Sequence, residues 1–147
     1  MAVKELLRRK PPKIITVRPD ASVTTAARLL LDHRIGGLPV VTAQGRFVGF
    51  VSERDVVRGV DQHPDGLLGI PVERVMRNPP PTCAADDTLH RAMTRMTRDR
   101  LRHLVVLEGE EILGVISVGD LVKYRLEQLE TEAGVLRDYV AGQRALR

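Results

Sequence analysis

The chain has 147 residues, of which 43% are hydrophobic and 29% charged, a balance that suits a folded domain or two packed halves and excludes a disordered chain. Aromatic residues make up only 3%, which argues against stacking platforms for single-stranded nucleic acid, and the net charge of +4 permits an anionic partner without indicating one. A single cysteine, Cys83, excludes an intrachain disulfide, and because no apolar run suits a signal peptide or a membrane span we expect a cytoplasmic protein.

The first half of the chain begins with a predicted strand and helix. Residues 14–17 are rich in β-branched side chains, which is typical of a strand. Asp20 or Ser22 can cap the helix that follows. The apolar residues of this helix recur at helical spacing and predict a face that packs in the core: Val23, Ala26, Ala27 and Leu30.

A hairpin and a second helix complete the first half. Residues 38–41 and 46–51 are the predicted strands, joined by a turn at Gln44 and Gly45. Ser52 then caps a helix that runs through Asp55. The order is therefore strand, helix, strand, strand, helix.

The second half repeats the first. Residues 82–89 resemble 16–23 at an offset of 66, and after one deletion residues 114–121 resemble 49–56 at an offset of 65. Cys83 falls in a predicted strand, where we expect it to be a core residue. The helix face that matches the first half is Leu89, Ala92, Met93 and Met96, and the matching hairpin spans 104–107 and 112–116. Two such units predict a pseudo-symmetric pair that shares a core.

A linker separates the units and a helical tail follows them. Residues 61–66 are turn-rich, and the prolines at 79–81 exclude a helix there. From Leu121 the helix continues, and its apolar residues follow a heptad pattern: Val122, Leu126, Leu129, Ala133, Leu136 and Val140. This tail either forms a coiled coil or lies back on its own domain, and Gly134 argues against one unbroken helix.

The pattern Gly-apolar-apolar-Ser-x-x-Asp-apolar at 49–56 and 114–121 is the most specific feature of the chain, together with residues 34–41, 100–107 and 75–79. These residues resemble the CBS domain, named after cystathionine β-synthase, in the tandem arrangement called a Bateman module, as in stand-alone bacterial members. The resemblance implies an α+β fold, a CBS-domain pair of two pseudo-symmetric β-α-β-β-α units with a C-terminal helical tail. We place the first unit at 10–62, the second at 73–125 and the helical extension at 126–147.

The resemblance also implies a regulatory ligand: an adenine nucleotide or relative, such as AMP, ADP, ATP, NAD(H) or S-adenosylmethionine, bound in clefts between the units. A carboxylate such as Asp55 or Asp120 can accept hydrogen bonds from a ribose diol. Ser52 and Ser117 stand at predicted helix starts, which suit a phosphate, and Arg54 adds a charge in one site only. No cofactor is required, and Mg²⁺ matters only for a polyphosphate.

In this family each site is composite. One site takes Ser117 and Asp120 from the second unit, with Ile14, Ile35, Gly36 and Gly37 from the first. The other takes Ser52, Arg54 and Asp55 from the first unit, with Pro80, Leu101, Arg102 and His103 from the second. Arg102 and His103 can serve either site. Two departures from the pattern, Val105 where proline is frequent and Gly119 where the first unit has Arg54, predict that the sites are not equivalent.

Each of these residues has a simpler interpretation. Ser-x-x-Asp can be a helix cap alone, Gly36 and Gly37 can end the first helix, and His103 can be structural. The module can also be a ligand-free interaction scaffold. A third hypothesis is a nucleic-acid surface along residues 91–102, although a solvated basic face is the ordinary interpretation.

Catalysis is not expected. The histidines, His33, His63, His90 and His103, lack metal-ligand spacing, and neither a nucleophile with its base nor a phosphate-binding loop is present. The resemblance further implies a homodimer formed through helix faces, which signals to an unidentified regulated protein. We expect no membrane partner.

Overall fold

The structure, a computed structural model, describes residues 1–66 and 69–145, with the side chains through 144. Its elements in chain order are α1 (Val3–Leu7), α2 (Val23–His33), β1 (Gly37–Val41), β2 (Phe47–Ser52), α3 (Glu53–Gln62), a 3₁₀ turn (Val72–Arg74), β3 (Thr82–Ala84), α4 (Leu89–Arg98), β4 (His103–Glu108), β5 (Glu111–Ser117) and α5 (Val118–Ala145). The predicted mixture of small sheets and helices is confirmed.

Each unit contains one antiparallel hairpin covered by helices. In the first, β1 pairs with β2 so that Gly37 lies opposite Ser52; in the second, β4 pairs with β5 so that His103 lies opposite Ser117. The second sheet has a third strand, because β3 runs parallel to β4. Each hairpin therefore ends at the serine that begins the following helix.

The predicted strand at 14–17 is wrong in extent. Only Val17 pairs there, in a single bridge with Val40, whereas the matching segment of the second unit is the full strand β3. The reason is the loss of two donors. In the second unit the backbone N–H groups of Val105 and Ala85 donate to the strand ladder at 2.8 and 2.9 Å. Their counterparts are Pro39 and Pro19, which have no N–H to donate.

The segment that precedes each unit packs on the other unit. The N–H of Val3 donates to Asp87 O at 2.8 Å, and the N–H of Val72 donates to Ala21 O at 2.8 Å in the matching way. A Cβ at Gly114 would lie 2.9 Å from Leu7, and the equivalent contact, between Gly49 and Met76, would be 2.5 Å. α1 thus belongs to the second core and residues 72–76 to the first, whereas our boundaries place 73–76 in the second unit.

The two cores contain most of the predicted apolar faces. Val23, Ala26 and Leu30 are buried in the first core and Leu89, Ala92 and Met96 in the second, around a buried Cys83. Met93, which we expected in this core, is 39% exposed and faces α5 instead. The Cys83 prediction is confirmed, and burial raises the pKa of its thiol to about 11.

The ends of α2 decide between alternatives that the sequence left open. Ser22 rather than Asp20 caps α2, because the N–H of Thr25 donates to its hydroxyl at 3.1 Å. α2 ends at His33, and Arg34 adopts the left-handed conformation with φ 53°. Gly36 and Gly37 therefore do not end this helix.

α5 is one unbroken helix that passes through Gly134. Leu121 and Tyr124 pack on the second core, but the heptad residues beyond them are exposed. The tail therefore does not lie back on its own domain. Within the described parts of the chain, no helix has both the length and the apolar character needed to cross a bilayer.

Candidate ligand-binding clefts

Two clefts lie between the units, one beside each helix-starting serine. Cleft A, beside Ser117 and Asp120, has a volume of about 660 Å³. Cleft B, beside Ser52 and Asp55, has a volume of about 320 Å³. His103 lines both clefts, so that its imidazole forms part of the wall between them.

Cleft A brings together all six residues that we assigned to it, from both units: Ile14, Ile35, Gly36, Gly37, Ser117 and Asp120. Ile14 is 43% exposed, so that an apolar surface is available in the cleft. The end of α1 and the segment after it form a further wall that sequence reasoning missed: Leu7, Lys10, Pro11, Pro12 and Lys13. A ligand in this cleft would contact three parts of the chain.

Asp120 is the carboxylate of cleft A. Its Oδ2 accepts a hydrogen bond from the N–H of Ser117 at 2.8 Å, and the N–H of Asp120 donates to Ser117 Oγ at 3.1 Å. Lys10 Nζ donates to the same Oδ2 at 2.7 Å and to Val115 O at 2.8 Å. The other oxygen, Oδ1, accepts no hydrogen bond from the residues that the structure describes. One acceptor of a side chain that is 23% exposed is therefore available to a ligand.

Cationic and imidazole groups line the same cleft. Lys13 Nζ lies 3.3 Å from His33 Nδ1, and Lys10 and Arg34 also line the cavity. Arg9 anchors the segment that carries both lysines, because its guanidinium lies 5.2 Å from the Tyr124 ring centroid. These groups can attract an anionic part of a ligand whose polar hydroxyls reach Asp120.

Cleft B contains six of the seven residues that we assigned to it: Ser52, Arg54, Asp55, Leu101, Arg102 and His103. Pro80 does not line it; the neighbouring Pro81 does. We expected Arg102 and His103 to be able to serve either site. His103 lines both clefts, whereas Arg102 lines cleft B alone.

Asp55 is the carboxylate of cleft B, and it is fully engaged. Its Oδ2 accepts from the Ser52 N–H at 2.8 Å and from the Ser52 hydroxyl at 2.9 Å. The Asp55 N–H donates in turn to the Ser52 hydroxyl oxygen at 3.2 Å, which completes a capping box. Its Oδ1 accepts from Arg58 at 3.0 Å. The side chain is only 3% exposed, so Asp55 serves the helix start and has little to offer a ligand.

The close packing of the wall between the clefts explains why Gly36 and Gly37 have no side chain. A Cβ at Gly37 would lie 2.3 Å from the Phe50 ring, and one at Gly36 would lie 3.0 Å from His103 Nε2. Phe50 and His103 are themselves in contact, with ring centroids 5.4 Å apart. Burial lowers the pKa of the His103 imidazole below its usual range. The glycines therefore allow this aromatic contact between units.

The basic face of α4 is partly neutralised. Arg98 Nε donates to Asp99 Oδ1 at 3.0 Å, and these hydrogen bonds lower the pKa of the Asp99 carboxyl. Arg95 donates to Thr82 O within the protein and lies 4.0 Å from Asp99. Two of the arginines on this face are thus engaged internally, which weakens the nucleic-acid hypothesis.

Comparisons with known proteins agree with this architecture. The family model for the CBS domain matches residues 3–61 and 72–127. The chain is similar to a CBS-domain containing protein from Agrobacterium tumefaciens, with 38% identity and a TM-score of 0.80, over 84% of this chain and 92% of that one. It is also similar to a CBS domain protein from Pyrobaculum aerophilum complexed with AMP, with 32% identity and a TM-score of 0.76, over 90% of this chain and 99% of that one.

A curated relative adds the same information at the sequence level. A CBS domain-containing protein of Bacillus subtilis is 30% identical over 110 residues, which cover 74% of this chain and 76% of that protein. CBS-domain pairs are generally regulatory modules rather than enzymes. Since both halves of the chain match the family model and the fold agrees with solved members, the chain belongs to the CBS-domain family as a tandem pair.

Proposed function

We propose that this protein is a regulatory module that binds an adenosine-containing ligand in cleft A and signals its presence to a partner protein. AMP, ADP, ATP, NAD(H) and S-adenosylmethionine are the candidate ligands. The observation that carries the proposal is Asp120, which lines a cavity of about 660 Å³ between the units and whose Oδ1 accepts no hydrogen bond from the described residues. That volume is in the range of small-molecule sites.

The lining of cleft A supports a division of roles. Asp120 would accept hydrogen bonds from the ribose hydroxyls, and Ile14 and Ile35 would cover the adenine. Lys10 and Lys13 would meet a phosphate. The similar protein from Pyrobaculum aerophilum is complexed with AMP, which supports a nucleotide over an unrelated metabolite. Mg²⁺ would accompany only a polyphosphate.

Cleft B is the second candidate site in the same proposal. Its cavity of about 320 Å³ is about half as large, and Asp55 is occupied by Ser52 and Arg58. Arg54 and Arg102 remain as possible phosphate contacts there. We therefore expect cleft A to bind first and more tightly.

Ligand binding would act by shifting an equilibrium between two packings of the units. This requires a ligand that binds one packing better than the other. His103 links the clefts physically, and the units exchange their preceding segments, so a change at cleft A reaches both cores. We propose a homodimer as the state that is read by the regulated partner, in the cytoplasm as the sequence predicts.

The test is thermal melting with AMP, ADP, ATP, NADH and S-adenosylmethionine. A ligand at 100 times its dissociation constant should stabilise the protein by about 2.7 kcal/mol. Asp120→Asn should lose this shift, because the amide keeps the cap but not the charge. Glu127→Gln is the matched control, since Glu127 is half-exposed and pairs weakly with Arg9 at 3.9 Å outside the cleft.

The alternative is a ligand-free scaffold, which the exposed tail of α5 favours. It predicts that none of the five compounds changes the melting temperature. A shift that survives in Asp120→Asn would instead place the ligand outside cleft A.

A further inference from the structure

The tail of α5 exposes an apolar surface that no other described part of the chain covers. The heptad residues Val122, Leu126, Leu129, Leu136 and Val140 are between 41% and 62% exposed. The helix has 28 residues and is therefore roughly 40 Å long. A helix that projects from its domain gains little stability from the helical conformation alone. An apolar stripe of this length normally packs against another surface.

The apolar surface continues onto the body of the protein. Met93 of α4, together with Val118, Val122 and Leu126 of α5, lines a groove whose walls are mainly apolar. Met93 is 39% and Val118 is 42% exposed. The stripe on the tail and the groove at its base therefore form one continuous surface, which we call the tail seam.

The charges beside the tail seam indicate what covers it. With Leu126, Ala133 and Val140 at heptad positions a, the flanking g positions are Arg125 and Glu132, and the flanking e positions are Glu130 and Arg137. In a parallel coiled coil each g residue faces the e residue of the next heptad on the partner helix. Arg125 then faces Glu130 of the partner subunit, and Glu132 faces Arg137 of the partner subunit. Both pairs are attractive.

The antiparallel arrangement is disfavoured by the same charges. When the heptad residues overlap fully in that orientation, residues 126 and 136 of the two chains lie opposite one another. Glu130 then approaches Glu130 of the partner subunit, and Glu132 approaches Glu132 of the partner subunit. In the same arrangement Lys123 approaches Arg137 of the partner subunit. All of these pairs repel.

We propose that residues 122–143 form a parallel, in-register, two-stranded coiled coil with the same segment of a second copy of this chain. The inference rests on the homodimer in the proposed function and specifies a surface for it. It does not depend on the ligand, because the tail seam lies outside both clefts.

Cysteine cross-linking tests both the pairing and its direction. Leu136→Cys places a thiol at position d, where a parallel pair brings the two copies together at disulfide distance. Asp138→Cys, two residues away on the outer face, is the matched control. The native Cys83 should not take part in the cross-linking, because it is buried and burial raises the pKa of its thiol to about 11.

Mild oxidation should cross-link Leu136→Cys at least tenfold more than Asp138→Cys on a non-reducing gel. Equal or absent cross-linking in the two variants would overturn the proposal. Cross-linking only in a mixture of Leu126→Cys with Leu136→Cys would overturn the parallel direction.

Light scattering on the same samples separates this proposal from the proposed homodimer. A doubled mass without the Leu136→Cys cross-link would leave a homodimer that forms through the body of the protein, and the coiled coil would be wrong. A monomeric mass at high concentration would overturn both. The ligand-induced melting shift, measured independently, decides the rest of the proposed function.

Discussion

Clefts A and B begin from the same motif and end with different chemistry. In both, a serine caps a helix and the aspartate three residues later accepts the serine N–H at 2.8 Å. In cleft B the remaining oxygen of Asp55 is taken by Arg58, and the side chain is 3% exposed. In cleft A the remaining oxygen of Asp120 accepts no hydrogen bond from the described residues, while Lys10, from a distant part of the chain, donates to Oδ2. The motif therefore builds a helix start in both places, and under the proposed function it provides the main ligand-binding carboxylate only in cleft A.

The largest expected difference between the clefts is in stability. Asp55→Ala removes the acceptor of three hydrogen bonds, one of them from Arg58, in a buried position. We expect a loss of about 3 kcal/mol, which lowers Tm by about 10 °C. Asp120→Ala should cost about 1 kcal/mol, mainly the value of a helix cap. Urea denaturation of both variants checks this, and equal losses would remove the distinction between the clefts.

Lys10 should control which ligands cleft A prefers. In Lys10→Met, a cation beside the cleft is lost and Asp120 Oδ2 loses one donor. Under the proposed function, the affinity ratio of AMP to adenosine should fall about tenfold, or about 1.4 kcal/mol, because only AMP carries a phosphate. Isothermal titration calorimetry with both compounds measures the ratio.

Lys4→Met is the matched control for this variant. Lys4 pairs with Asp86 at the same distance, 2.7 Å, and lines neither cleft. An unchanged ratio in Lys10→Met would show that Lys10 does not contact the phosphate.

The smallest expected effect concerns the wall that the clefts share. Burial lowers the pKa of His103, and this outweighs Asp120 and Glu53, which favour protonation; Lys10 and Arg102 oppose it. The unfolded chain therefore binds a proton more readily than the folded protein. The contribution of neutral His103 to the free energy of unfolding is therefore fully present above pH 6.5, the ordinary pKa of a histidine. It is lost as the pH falls below that value.

Denaturation midpoints at pH 7.5 and 5.5 test this direction. The wild-type midpoint should be lower at pH 5.5 than at pH 7.5, and His103→Gln should make this difference smaller. His90→Gln, a change at an exposed position on α4, should leave the difference as it is. A wild-type midpoint that is unchanged or higher at pH 5.5, with no difference in His103→Gln, would contradict the role of His103.

The repeated pattern was sufficient to predict two similar units and most of the residues that we assigned to the clefts, but it missed the wall of cleft A at residues 7–13 and wrongly placed Pro80 in cleft B. Ser52 and Ser117 cap helices as their spacing predicts, and the residues assigned to cleft A all line it. The strand at 14–17 was predicted from side chains alone, but a parallel ladder depends on backbone donors. Pro19 and Pro39 are visible in the sequence, and their missing N–H groups explain the shortened strand.

The contribution of the N-terminal segment was harder to predict. Lys10 meets Asp120 across 110 positions of chain, and no local spacing encodes such a contact. A weak signal does exist: the apolar residues Val3, Leu6 and Leu7 match Val72, Val75 and Met76 in type and spacing. Recognising this earlier repeat would have identified α1 as part of the second core.

The exchange of preceding segments bears on how the protein can be cut. Residues 1–9 have the composition of a dispensable basic leader, yet Val3 and Leu6 are buried in the core of the unit that lies farther along the chain. A truncation at the start of the chain would therefore damage the distal half first. Separating the halves at residues 63–66 would leave each fragment without the piece that the other carries. Each half thus needs a segment that precedes the other half in the sequence to complete its core, and we expect the two halves to fold and unfold together.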